Sequence, residues 1–157
     1  MSDERYLDNE LLRPYRVGAE RGDNPYVNFF WDYYAQGKPC YTKVDYMSLK
    51  ECIDLIHDTG GKAILAHPGN NLKGRFDLFD MMVPLGIDGV EAFSSYHDLE
   101  TCLYFKDKAF VYGLIYTTGS DFHGKNKPSI VMGQTMCQDI GYIEEELIKN
   151  KLILKER

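Results

Sequence analysis

The sequence lacks long apolar runs and paired cysteines. In its 157 residues, no apolar stretch approaches the ~18–20 residues that a membrane-spanning helix needs. The four cysteines, Cys40, Cys52, Cys102 and Cys137, contain no Cys-x-x-Cys pair, so neither a zinc cluster of that type nor a secreted disulfide framework is indicated. The first residues lack the basic and apolar regions of a signal peptide. We therefore expect a cytoplasmic protein.

The sequence also lacks an excess of positive charge. Lys and Arg number 18 against 24 Asp and Glu, which gives a net charge of −6. A chain with this balance is a poor candidate for wrapping a nucleic-acid backbone, so nucleic acid is expected only as a substrate. The hydrophobic fraction of 44% is sufficient for a core, and the length suits one domain or part of a larger one.

Residues 1–45 differ in character from the rest of the chain. Turn signals rich in Pro and Gly recur there, and a dense aromatic segment follows Asn24. Asn24 before Pro25 predicts a helix start, because Pro is tolerated at the first helical position. Residues 24–36 contain no Lys or Arg. We therefore interpret the segment as a short helix with a packed aromatic face, rather than as a platform for stacking bases.

From residue 46 onward, helix and strand patterns alternate. Ser48 and Glu51 form a capping box at a predicted helix start, and Leu49, Cys52, Ile53 and Ile56 would share its apolar face. Short apolar runs predict buried parallel strands; they lie at residues 62–66, 89–93 and 112–116. Amphipathic patterns predict further helices, at residues 78–85, 99–110 and 143–154, and Asp98 could cap the second of these. This alternation is typical of an α/β fold with parallel strands.

Polar turns follow the three predicted strands. They carry His67, His97, and Asp121 with His123, and parallel strands place such turns on one edge of a sheet. Asp121 and His123 would point to the same side of an extended segment. Histidine and carboxylate suit a divalent metal, although a buried histidine bonded to a carbonyl and a simple polar turn are the structural alternatives. For His97, a structural role and substrate contact both remain open.

Three ordered segments resemble motifs of the PHP (polymerase and histidinol phosphatase) superfamily of metal-dependent phosphoesterases. They are Ala66-His67-Pro68-Gly69, residues 89–93 with the following His97, and Gly119-Ser120-Asp121-Phe122-His123-Gly124. Residues 13–15 and 24–26 also resemble the helical insertion of small, stand-alone bacterial members. The resemblance covers most of the chain.

This resemblance implies the C-terminal part of a distorted (β/α)7 barrel, with residues 1–45 as a helical insertion at the N-terminal end and residues 46–157 as βα units. It implies that His67, Asp121 and His123 are metal ligands and that His97 lies near a substrate phosphate. Divalent Zn, Mn, Fe or Mg would serve the intact parent, with at most one weakly bound ion in this chain. The implied reaction is hydrolysis of a nucleotide-type or other small phosphoester.

The resemblance is incomplete, because PHP proteins open with a His-x-His strand that this sequence lacks. The remaining histidine, His57, falls in the last turn of a predicted helix, where it suits the helix dipole. We therefore expect a truncated C-terminal part that is inactive in isolation. Such a half-barrel would expose strand edges and apolar surface, so we also expect self-association, most simply as a twofold dimer. The alternative is a non-catalytic structural or binding module derived from a PHP domain.

Overall fold

The computed structural model describes residues 3–153 and divides the chain into two compact units, Met1–Tyr46 and Met47–Arg157. The sequence-based expectations that involve Met1, Ser2 and Leu154 lie outside the described residues. No helix within residues 3–153 is long and apolar enough to cross a bilayer. The assignment of the first unit to an insertion stays a prediction.

The first unit is helical where it is regular. It contains two 3-10 helices, Glu4–Tyr6 and Glu10–Tyr15, and helix α1, Pro25–Tyr33. Helix α1 begins at Pro25, as the sequence predicts. The helix is therefore confirmed at the position that the Asn24-Pro25 pair indicates.

The first unit is organised around the buried Tyr15. Its hydroxyl donates a hydrogen bond to Asp32 Oδ2 at 2.7 Å, and Arg21 forms a two-point ion pair with the same carboxylate. Burial, with the bond to Asp32, raises the pKa of Tyr15 to about 12. The Tyr15 ring meets Phe29 edge-on at 5.1 Å between centroids. Part of the aromatic segment packs as expected, whereas Trp31 is 58% exposed.

The second unit alternates helices with short strands. Its elements are α2 (Leu49–Asp58), β1 (Ile64–Leu65), α3 (Pro68–Leu72), α4 (Asp77–Met82), a 3-10 turn (Val83–Leu85), β2 (Gly89–Ser94), α5 (Leu99–Tyr112), β3 (Ile115–Gly119), a second 3-10 turn (Gly124–Asn126) and α6 (Ile140–Lys149). The predicted α/β class is confirmed. Helix α6 begins three residues before the predicted position at Ile143, which is its buried side chain.

The three strands form a parallel sheet in the order β1-β2-β3. Strand β2 is central, and all its residues except Glu91 are buried. A register shift lies between Glu91 and Phe93, so that Ala92 is an extra residue opposite β3. Consecutive residues of β2 are buried both at this bulge and away from it, because the central strand of a parallel sheet is covered on both faces.

The core of the second unit lies between β2 and the helices that pack on it. Helix α5 packs against β2, and α6 packs against β3. The fully buried side chains at its centre include Phe79, Val90 and Phe105. The helix starts follow the sequence signals: the Ser48–Glu51 capping box is present, and Asp98 caps α5 through the Thr101 amide at 2.8 Å. These caps satisfy amide groups that have no partner within the helix.

One sequence-based expectation about the β1 region is wrong. Strand β1 has only two residues, and both are half-buried rather than buried, because β1 is an edge strand of the described sheet. On α2 the predicted apolar face is present, since Leu49, Cys52, Ile53 and Ile56 line one groove beside β1. Only Ile53 of that face is buried, while Leu49 and Cys52 are exposed. Periodicity identifies an apolar face but not the element that covers it.

Candidate active site

The candidate residues lie at the carboxyl edge of the parallel sheet. His67 follows β1, His97 follows β2, and Asp121 and His123 follow β3. The prediction that sequence order brings these turns to one edge is confirmed, because all three strands run in the same direction. We call this group of turns the carboxyl edge.

His67 is held in an unusual backbone conformation. Its φ of 28° lies in the left-handed region, which non-glycine residues seldom occupy. Its amide donates a hydrogen bond to Glu91 Oε2 at 2.9 Å, and its ring nitrogen Nδ1 is buried without a hydrogen-bond partner. A strained turn with an unpaired buried nitrogen fits a residue whose ring is positioned for a ligand. It does not fit the alternative of a histidine bonded through Nδ1 to a carbonyl.

Glu91 links the ends of the three strands, and the sequence analysis did not single it out. It sits on central strand β2, binds the His67 amide after β1, and lies against Gly119 at the end of β3. A Cβ atom at Gly119 would stand 2.1 Å from Glu91 Oε1, so a side chain there would require the carboxylate to move. Burial raises the pKa of Glu91. The available signal was a carboxylate within an otherwise apolar strand.

Asp121 is bound by two side chains from other turns. Its Oδ2 atom accepts a hydrogen bond from the Tyr96 hydroxyl at 2.6 Å and forms an ion pair with Lys127 Nζ. The bond from Lys127, followed by the one from Tyr96, lowers the pKa of Asp121 to about 2. The carboxylate is therefore ionised at neutral pH. Tyr96 and Lys127 are functional candidates that the sequence analysis missed.

His123 lies next to Asp121, but not for the predicted reason. Its Nδ1 atom is 2.7 Å from the Asp121 carbonyl oxygen and 3.5 Å from Asp121 Oδ1. The segment is not extended, because Asp121 has a φ of 55°; a turn brings the pair together. A carbonyl only accepts, so Nδ1 donates in this bond, and Nε2 is the ring nitrogen that could bind a ligand. The His123 side chain as a whole is 50% exposed.

His97 is buried and bonded through both ring nitrogens. Nδ1 donates to the Ala92 carbonyl at 2.8 Å, and Nε2 accepts from the Gly69 amide at 2.9 Å. The ring also stacks on Phe105 with a centroid distance of 5.8 Å. These contacts connect the turns after β1 and β2, which favours the structural role left open above. The substrate role of His97 stays a prediction.

A cavity of about 360 Å³ adjoins the carboxyl edge. It is lined by hydroxyl, amide and aliphatic side chains: Ser94, Ser95, His97, Ser129, Ile130, Val131, Gln134, Thr135 and Met136. The Ser94 hydroxyl is buried without a hydrogen-bond partner. Ser95 Oγ donates to the carbonyl of Ser120, so the cavity lies beside the turn that carries Asp121.

The donor types fit a divalent ion, whereas their arrangement supplies only part of a site. Asp121 and His123 are adjacent, and His67 lies edge-on to the Tyr96 ring, 5.4 Å between centroids. Within residues 3–153, no three His, Cys, Asp or Glu side chains converge as a metal-binding group. The carboxyl edge therefore presents a ligand pair with a third candidate nearby, rather than an assembled centre.

Two curated bacterial proteins are similar to this chain. A phosphoribosyl 1,2-cyclic phosphate 1,2-diphosphodiesterase of Eggerthella lenta is 32% identical over 100 residues, covering 64% of this chain and 37% of that protein. A 3',5'-nucleoside bisphosphate phosphatase of Chromobacterium violaceum is 32% identical over 109 residues, covering 68% of this chain and 38% of that protein. The resemblance to PHP phosphoesterases is confirmed over part of their length. No family model matches the chain.

The chain is also similar to a solved structure. The crystal structure of a "putative metal-dependent phosphoesterase" from Bifidobacterium adolescentis superposes with a TM-score of 0.63 at 25% identity. The match covers 85% of this chain and 46% of that one. The chain thus spans less than half the length of these relatives.

Proposed function

We propose that this chain forms part of a metal-dependent phosphoesterase of the PHP type, which hydrolyses a small phosphoester. The observation that carries the proposal is the pair Asp121 and His123 on the same sheet edge as His67, in a chain similar to two enzymes that act on phosphate esters. Nucleotide-type phosphoesters are the substrate class nearest to the named substrates of those relatives.

In this proposal His67, Asp121 and His123 are metal ligands. The ionised carboxylate of Asp121 supplies the negative charge, and His123 offers Nε2 as a neutral donor. A divalent ion of the Zn, Mn, Fe or Mg type would supply Lewis-acid activation of phosphate and water. The other ligands would come from elsewhere in a (β/α)7 barrel of which this chain is the C-terminal part.

His97 is assigned near the substrate phosphate, acting through the turns that it joins. Its bonds to the Ala92 carbonyl and the Gly69 amide hold the β1 and β2 turns together. The cavity that His97 lines has no Lys, Arg, Asp or Glu in its lining, so it would hold the uncharged part of a phosphoester whose phosphate lies at the cavity's edge, beside the Asp121 turn.

Metal binding by the isolated chain tests the ligand assignment. In zinc or manganese titration calorimetry we expect one weak site that His123→Ala abolishes. His57→Gln is the matched control, because His57 lies at the opposite end of the sheet beside Asp88. Equal metal binding by His123→Ala and the parent would refute the assignment.

Catalysis requires a separate measurement. We expect the isolated chain to be inactive towards nucleoside 3',5'-bisphosphates and cyclic phosphates, and a protein that also includes a His-x-His strand to hydrolyse one of them with divalent metal. The DNA upstream of Met1 decides between this proposal and a non-catalytic PHP-derived module. A His-x-His codon pattern in the same reading frame supports the enzyme, and a frame without it supports the module.

A further inference from the structure

Lys127 is the side chain that neutralises Asp121. Its ammonium forms an ion pair with Asp121 Oδ2, accompanied by a hydrogen bond to the Tyr96 hydroxyl at 2.9 Å. The ammonium also lies over the Tyr96 ring, 5.4 Å from its centroid. The Asp121 side chain is 16% exposed and the Lys127 side chain 39%, so the carboxylate is sheltered while the lysine reaches it from the solvent side. The ammonium thus stands where a cation bound to Oδ2 would stand.

Tyr96 fixes the geometry of this pair. Its hydroxyl donates to Asp121 Oδ2 at 2.6 Å, and its ring contacts the His67 ring edge-on. A phenol has one proton to give, so the bond from Lys127 must reach a lone pair of the same hydroxyl. Lys127, Tyr96 and Asp121 therefore form a closed triangle beside His67. Within this triangle Oδ2 already accepts two strong hydrogen bonds.

We propose that Lys127 is a tethered counter-cation that competes with the divalent ion for Asp121, and that its displaced ammonium then binds a phosphate anion. The inference rests on the metal site of the proposed function. An ion bound to Oδ2 takes the lone pair that Lys127 now uses, and two cations cannot share that oxygen without strong repulsion. A displaced lysine keeps three donors on a flexible stem, which suits it to phosphate.

The competition is tested by zinc titration calorimetry on the parent, Lys127→Gln and Lys125→Gln. Lys125 is the matched control, because it is an exposed lysine in the same turn. We expect Lys127→Gln to bind zinc roughly fivefold more tightly than the parent, the size of one partly shielded ion pair. Lys125→Gln should match the parent. Equal or weaker zinc binding by Lys127→Gln would overturn the competition.

Two further measurements test whether the Lys127 ammonium is displaced from Asp121 and then binds phosphate. With zinc bound, inorganic phosphate should bind the parent several-fold more tightly than Lys127→Gln, and equal affinities would overturn the anion role. If Lys127→Gln does not fold, NMR of the parent labelled with ¹³C-lysine replaces it. The Lys127 Cε signal should move on zinc addition, and an unmoved signal in a zinc-bound chain would overturn the displacement.

The outcomes separate this inference from the proposed metal site. If His123→Ala does not bind zinc while Lys127→Gln binds it as the parent does, the metal site is supported and the competition is refuted. If His123→Ala still binds zinc, both the assigned metal site and the competition are refuted. Zinc binding by Lys127→Gln but not by the parent would be the strongest support. Binding by neither would overturn the competition, while catalysis by the longer protein tests the proposed function separately.

Discussion

The carboxylate of Asp88 accepts a hydrogen bond at 2.8 Å from the backbone amide of Ala63, joining the segments that lead into β1 and β2. The same carboxylate binds His57 Nε2 at 2.7 Å and Lys62 Nζ at 2.8 Å. Its backbone carbonyl accepts from the Ile115 amide at 2.9 Å, at the start of β3. Asp88 therefore holds the amino edge of the sheet, opposite the candidate site.

Replacing Asp88 should destabilise the chain without touching the carboxyl edge. Asp88→Ala leaves the Ala63 amide and the Lys62 ammonium without their partner, which we expect to lower the free energy of unfolding by about 2 kcal/mol. Urea unfolding measures the change. Asp58→Ala, an exposed acid at the end of α2, is the control and should change stability by less than about 0.5 kcal/mol. Equal effects of the two changes would contradict the role of Asp88.

The contribution of Asp88 to the stability of the folded chain should depend on pH. Burial opposes its ionisation, but bonds from Lys62, His57 and the Ala63 amide outweigh burial and lower the pKa of Asp88. A carboxyl group whose pKa is lowered in the folded state stabilises that state at pH values above its pKa in the unfolded chain, which is about 4. That stabilisation is lost as the pH falls below this value and through the folded-state pKa. The difference in Tm between the parent and Asp88→Asn should thus shrink from about pH 6 to about pH 3. A constant difference would argue against the ionised carboxylate.

Gly119 should not tolerate a methyl group. In Gly119→Ala the new Cβ would stand 2.1 Å from Glu91 Oε1, so the carboxylate must leave the His67 amide. We expect a loss of roughly 1–3 kcal/mol in unfolding free energy and a shift of the His67 amide signal in NMR. Gly141→Ala is the matched control: nothing lies within 4 Å of its added Cβ. Since Gly141 is in α6, alanine there should be neutral or stabilise by up to about 1 kcal/mol.

His97 should behave as a structural residue. His97→Ala removes a buried ring that bonds to two backbone groups, so we expect the free energy of unfolding to fall by about 2 kcal/mol. His123→Ala, at a half-exposed position, should cost about 0.5 kcal/mol or less. Thermal or urea unfolding of both variants measures these two changes in the free energy of unfolding. A stable, folded His97→Ala chain with weakened phosphate binding would favour direct substrate contact instead.

Self-association stays a prediction, and the structure indicates where to test it. An apolar groove of about 150 Å³ lies between α2 and β1, and Leu49 lines it. We expect light scattering at micromolar concentration to detect a dimer that Leu49→Lys weakens. Leu55→Lys is the control, since Leu55 is 52% exposed on the same helix but does not line the groove. A parent chain that is monomeric under these conditions would contradict the prediction.

The sequence was sufficient for the class of fold and for the edge that carries the site. Alternating helix and strand patterns predict parallel strands, and parallel strands place their following turns together. The capping signals of Ser48 and Asp98 are local, so both helix starts were predictable. The extent to which β1 and Leu49 are buried was not predictable, because it depends on which element covers them.

The two partners of Asp121 could not be predicted, for different reasons. Tyr96 is 25 residues away in sequence, and its bond to Asp121 exists only when the turns after β2 and β3 meet. Lys127 is near in sequence, but a lysine in a polar turn is normally solvated and carries no signal of its own. Glu91 was detectable in principle, because a charged side chain in a central strand needs a partner.

Because of the bulge at Ala92, the number of residues in β2 decides which face of the sheet each later side chain points to. Since side chains alternate along a strand, one extra residue exchanges inner and outer positions for everything that follows it. Deleting a single residue between Glu91 and Ser94 would reverse this exchange. The Ser94 side chain would then point to the opposite face of the sheet. The turn that bears Tyr96 would start one residue out of register with the turns that follow β1 and β3. We therefore expect a one-residue deletion here to be more disruptive than a longer deletion in an exposed loop.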